Sequence, residues 1–275
     1  MADNENILDV IYQFYDFETG IEKVLKDRTI RFSTPLSFND PFDCHSELID
    51  VSYEFNEEKY KDQQLLGFDE IENVVYNILM KKNHEIGYSF IKNSIRNSLR
   101  ISCFSNCCDE ILMWSHYANK HTGICVGYDV EKHNGGFFVR VEYPKDDKFE
   151  SKPFIYGDFL VKDKNEIAIK QLIKYKSQKW KYEKEIRWAF QNNKIRALDK
   201  KQEINFQGKI DVRFEKLNIS VKEIIFGLKV SSEKIKNKIK ELQLYGYEHV
   251  KFYQMKEVPN EFRIEKELIN TEDIF

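Results

Sequence analysis

The run ISCFSNCCDEILMWSHYANKHTGICVGY, Ile101 to Tyr128, passes through three hydrophobic patterns in succession. Ile101–Ser105 is a short apolar segment of strand length. Glu110–Ala118 reads as a helix between two strands. Gly123–Tyr128 is a second compact apolar run, of the kind a buried strand needs.

Working outward, the same alternation of types continues. Toward the N-terminus, Leu8–Phe14 places Val10, Tyr12 and Phe14 on one face by the two-residue period of a strand. Glu18–Lys26 has Ile21, Val24 and Leu25 at helical spacing, and Thr29–Ser33 is another strand. Toward the C-terminus, strands are expected at Gly136–Tyr143, Ile186–Gln191, Val221–Phe226 and His249–Gln254, and helices at Asn165–Tyr175 and Ser232–Leu242. Adjacent strands mixed with strand–helix pairs predict an α+β fold with a mixed, mainly antiparallel sheet core, rather than a doubly wound one. Residues 53–99, polar with apolar positions at helical spacing, read as a helical insertion. No repeat and no Pro-, Gly- or Ser-rich linker divides the chain, so 1–275 is expected to be a single composite domain.

Charge and cysteine usage narrow the functional classes. The 43 basic and 46 acidic residues leave a net charge of −3, so a polyanion would need a local basic patch and no global field draws the chain to a membrane. Five cysteines, odd in number and irregularly spaced, are not a secreted disulfide framework and read as thiols. With no signal-like N-terminal segment and no apolar stretch of membrane-spanning length, the expected location is the cytoplasm.

Three separated segments are expected to converge on one polar site. In Phe38–Asp43, Asn39, Asp40 and Asp43 sit between aromatic residues; the plainer reading is that Asn39 and Asp40 cap a turn. In Ile101–Gly123, Ser105 ends a strand while Trp114, His116 and Tyr117 follow on the helix, where Met113 and Trp114 suit the core. Cys103, Cys107, His116 and His121 resemble a zinc ligand set on paper, but a Cys in an apolar strand usually acts as a small hydrophobe, so no metal is expected. In Trp180–Phe190, Glu183, Glu185 and Arg187 would share one strand face, with Tyr182, Ile186 and Trp188 on the other. Such a row is either an exposed ion-pair stripe or a site in which a carboxylate does electrostatic or general-base work.

These segments resemble a bacterial domain-of-unknown-function family, number 2971. The motifs are the opening strand Tyr12–Phe14, FNDPFD at Phe38–Asp43, the CFS…MWSHYA…H-x-G block at Cys103–Gly123 and W-x-Y-E-x-E-x-R at Trp180–Arg187. The layout is similar to the ADP-ribosyltransferase fold, with Ser105 at the serine position and Glu183-x-Glu185 at the glutamate motif. That resemblance implies an enzyme using NAD as substrate, an ADP-ribosyltransferase or NAD glycohydrolase, as a toxin or phage-defence effector. Glu185 would stabilise charge at the anomeric carbon, Glu183 would orient or deprotonate the acceptor, and Tyr12 or Tyr117 would stack on nicotinamide. The acceptor would be a macromolecule, protein or nucleic acid.

Two other readings use the same residues. A sensor without chemistry would bind a nucleotide or other small-molecule ligand, a peptide or a nucleic-acid end through Arg31, Arg187 and Asn39. A nuclease would gather Asp40, Asp43, Glu183 and Glu185 around a divalent ion. No Gly-rich phosphate loop supports a Rossmann or P-loop reading.

Overall fold

The computed structural model describes residues 10–52, 93, 95–149, 151–155, 162–200, 202–205 and 207–274. They fall into two compact units: Met1–Ser33, Arg100–Val141 and Lys179–Phe275 form one, Thr34–Leu99 and Glu142–Gln178 the other. In chain order the strands are β1 (Ile11–Tyr15), β2 (Thr29–Ser33), β3 (Ile49–Ser52), β4 (Leu99–Ser105), β5 (Ile124–Asp129), β6 (Phe137–Arg140), β7 (Lys152–Ile155), β8 (Glu185–Gln191), β9 (Lys209–Arg213), β10 (Ser220–Phe226), β11 (Lys251–Glu257) and β12 (Ile264–Leu268).

The first unit is built on a ten-stranded sheet in the order β12-β11-β10-β5-β1-β4-β2-β9, with β8 paired to β4 and β6 to β8. Its pairs β1–β4, β1–β5, β5–β10, β2–β4, β2–β9, β6–β8 and β11–β12 are antiparallel. β10 and β11 run parallel, and helix Ser232–Leu244 makes the crossover that a parallel pair requires. The fold is therefore α+β with a mixed, mostly antiparallel sheet.

Alternate residues of these strands enter two separate cores. Ile11, Val126, Tyr128, Ile224, Phe226, Phe252, Ile186 and Trp188 belong to the larger, together with Ile21, Val24 and Leu25 of helix Thr19–Lys26 and Ile235, Ile239 and Leu242 of helix Ser232–Leu244. Phe14, Cys125, Ile225 and Met255 belong to the smaller, which is completed by Met113 and Trp114 of helix Ile111–Tyr117 and edged by Tyr12, Tyr117, Tyr182 and Tyr253. Tyr12 and Phe14 thus share a face, as their spacing predicts. Each large aliphatic or aromatic side chain so buried contributes roughly 1.5–3 kcal/mol.

In the second unit β3 and β7 pair in parallel, and helix Lys162–Lys174 buries Ile169, Leu172 and Ile173. The helices expected over 53–99 lie outside the described residues as far as residue 92; residues 95–97 are helical. Among the described residues no helix is long and apolar enough to cross a membrane.

Four strands were not expected: β3 and β7, which pair with each other, and β9 and β12 of the larger sheet. β9 offers only Ile210 and Val212 to the core, and β12 only Ile264, with charged residues between, so neither has an apolar run that stands out. The stretch around Glu183 also departs from expectation. Gln178–Glu183 is a short 3-10 turn, Lys184 has a φ of +45°, and β8 starts at Glu185. Glu183 and Tyr182 are therefore not on the strand that carries Glu185, Arg187 and Trp188.

Candidate functional site

The left-handed Lys184 divides the two glutamates between two environments. A positive φ is unfavourable for a side chain with a Cβ, and it is held here by the Lys184 carbonyl accepting from Asn106 N–H at 3.1 Å. Beyond it, Glu185 and Arg187 lie two apart on one face of β8. Arg187 Nε donates to Glu185 Oε1 at 2.8 Å and Nη2 to Oε2 at 3.1 Å, with the two residues 0% and 3% exposed. The exposed ion-pair stripe is thus corrected to a buried two-point pair, whose geometry fixes both planar groups.

Glu183, on the other side of Lys184, is also buried, and a phenol reaches its carboxylate. Tyr117 Oη donates to Glu183 Oε1 at 2.6 Å, and Ser105 Oγ donates to the Glu183 carbonyl at 2.7 Å. Ser105 is fully buried at the end of β4 and also accepts from Cys107 N–H at 3.3 Å. Tyr117 is placed by its helix: Glu110 caps the N-terminus by accepting from Leu112 N–H, and Trp114 is fully buried with Nε1 bonded to the Cys108 carbonyl at 2.7 Å. Asn119, Lys120 and His121, with φ of +46°, +55° and +70°, then turn the chain back toward β5, where Gly123 passes too close to the Tyr15 carbonyl for any side chain. His116 is exposed, its ring 6.4 Å from Tyr117 and 6.2 Å from Tyr182. Met113 and Trp114 are core residues, as their position on the helix predicts.

A second polar group lies on the same sheet face. Ser105, Tyr12, Gly127 and Glu223 are in register across β4, β1, β5 and β10. Tyr12 Oη donates to Glu223 Oε1 at 2.6 Å, and Lys266 Nζ reaches both Glu223 oxygens at 2.7 Å. A Cβ on Gly127 would stand 2.7 Å from Glu223 Cγ and 3.1 Å from Tyr12 Cε1, so the absent side chain is what lets the phenol reach the acid. Burial, reinforced by the bond to Glu223, pushes the Tyr12 phenol well above its ordinary range. For Lys266, burial opposes the charge, but the Glu223 carboxylate holds the ammonium above its usual value. Sequence reasoning missed Glu223 and Lys266. The only signal for Glu223 is an acid inside the apolar strand VKEIIF, and Lys266 has none.

Arg31 forms a two-point pair with Asp211, its cross-strand neighbour, on an exposed face. Asn39, Asp40 and Asp43 belong to the second unit. There Asn39 is exposed and Asp40 Oδ1 accepts from Phe42 N–H at 2.9 Å, the turn-capping role expected of it. Asp43 faces Lys176 at 3.6 Å, both buried. All five cysteines are free thiols, and burial raises the pKa of Cys107 and, to about 11, that of Cys108. Among the described residues no three His, Cys, Asp or Glu side chains gather as a metal site requires.

The fold and this corner define an α+β sheet protein whose candidate site is a buried carboxylate held by a phenol. Residues 113–188 match the family described as a protein of unknown function (DUF2971). The match takes in Tyr117, Glu183, Glu185 and Arg187, and leaves Tyr12, Phe38–Asp43 and Ser105 outside it. No curated protein and no solved structure matches the chain.

Proposed function

We propose that the protein acts on NAD, breaking the bond between nicotinamide and ribose and passing ADP-ribose to water or to a macromolecular acceptor. The observation that carries this reading is Glu183: a buried carboxylate, oriented by the Tyr117 phenol at 2.6 Å. As the C–N bond breaks, its electron pair leaves on the nicotinamide nitrogen and positive charge develops at the anomeric carbon. A preorganised anion in a low-dielectric corner stabilises that charge more than water does. In the hydrolytic case the oxygen of water completes the C–O bond and its proton goes to solvent.

This assigns the electrostatic role to Glu183. Glu185, whose charge is matched by Arg187, supports the strand behind it.

The test is nicotinamide release from NAD, with and without cell lysate as a source of acceptor. Glu183→Gln should lower the rate about 10²–10³-fold. No release by the unaltered protein in either condition overturns the reading.

A further inference from the structure

Beside Glu183 the same helix and turn carry a row of rings, of which only the Tyr117 phenol takes part in the proposed reaction. Trp180 and Tyr182 have centroids 6.1 Å apart, Tyr182 and His116 6.2 Å, and His116 and Tyr117 6.4 Å. The row ends on the phenol that holds Glu183. His116 is exposed and the other three rings are half-buried, whereas Trp114 and Trp188 are fully buried. Exposed Lys179, Lys181 and Lys184 alternate with these aromatics in the segment KWKYEK. In a chain of net charge −3, this is local positive charge set among rings.

We propose that this row is a platform for single-stranded nucleic acid, which is the acceptor presented to Glu183; the second clause rests on the proposed function, the first does not. Aromatic rings in series offer stacking faces to successive unpaired bases, and lysines between them meet the phosphates. A duplex keeps its base faces stacked inside and cannot use such a row. A protein acceptor would gain little from rings interleaved with lysines unless it were acidic, and it is an outcome of the test.

The test uses the intact protein and a fluorescent single-stranded oligonucleotide, as DNA and as RNA, against a duplex of the same sequence. Anisotropy should show single strands bound more tightly than duplex, with affinity falling as salt rises by a slope of about −0.7 per phosphate neutralised. Trp180→Ala and Tyr182→Ala should each weaken binding about tenfold, and Lys181→Glu with Lys184→Glu should flatten the salt dependence. Because Trp180 is the half-buried tryptophan of the three, quenching of intrinsic fluorescence on binding reads the platform in the unaltered protein and does not depend on any variant folding. No quenching and no binding at low salt, equal binding of duplex, or lysate labelling confined to acidic proteins would each overturn the proposal. Binding and quenching without nicotinamide release would instead keep the platform and remove the NAD reading.

Discussion

Ile11 and Tyr12, Ile224 and Glu223, and Ile186 and Glu185 are chain neighbours whose side chains enter opposite faces of one sheet. The first of each pair joins the large apolar core under two helices. The second stands on the face with the small core, hydroxyls and ion pairs. The apolar face is held by non-directional burial, which accepts substitutions of similar volume. The polar face depends on named partners at fixed distances, so losing one partner strands the other. A single register could satisfy both, because a shift by one residue would exchange the two sets completely.

The difference is broken most severely at Arg187. Replacing it with Met keeps the volume but removes the cation that bonds both Glu185 oxygens, which should cost about 3–5 kcal/mol in urea unfolding. The double variant Glu185→Leu with Arg187→Met removes both charges and should recover most of that loss. A double variant no more stable than the single one would show that the pair is not the controlling interaction.

A smaller effect is expected at Gly127. Its replacement by Ala forces a Cβ against Glu223 and Tyr12 and should cost about 1–3 kcal/mol, with the strain confined to the polar face. An unchanged melting temperature would mean that the phenol and carboxylate can move apart freely.

What the sequence made legible follows this division. Period-two alternation placed Tyr12 beside Phe14, Thr29–Ser33 was recognisable to the residue, and the helix from Ser232 was evident from its spacing. The polar face was less legible because its partners are distant in the chain. Glu223 meets Lys266 across 43 positions, and Tyr12 meets Glu223 across 211. Nothing local marks such a pairing. The division between Glu183 and Glu185 was hidden for another reason: the left-handed residue is Lys184, and neither Gly nor Asn announces the break.

The mildest effect concerns alkaline pH. Burial, with smaller contributions from nearby Glu223, Asp109 and Cys107, raises Cys108 from 9.0 to about 11. The folded chain keeps the thiol proton where the unfolded chain releases it, so this group's stabilisation is complete below pH 9 and declines between 9 and 11. Cys108→Ala should give a shallower decline in unfolding free energy across that window; an identical slope would place the cause elsewhere.

The separate duties proposed for Glu183 and Glu185 can be distinguished by one paired measurement: melting temperature and nicotinamide release for Glu183→Gln and Glu185→Gln. Glu183→Gln should melt close to the unaltered protein and lose release. Glu185→Gln should melt far lower, because its amide no longer offers the buried Arg187 guanidinium a negative charge. Release retained by Glu183→Gln, or a Glu185→Gln variant that melts normally and is the one to lose release, would contradict the account.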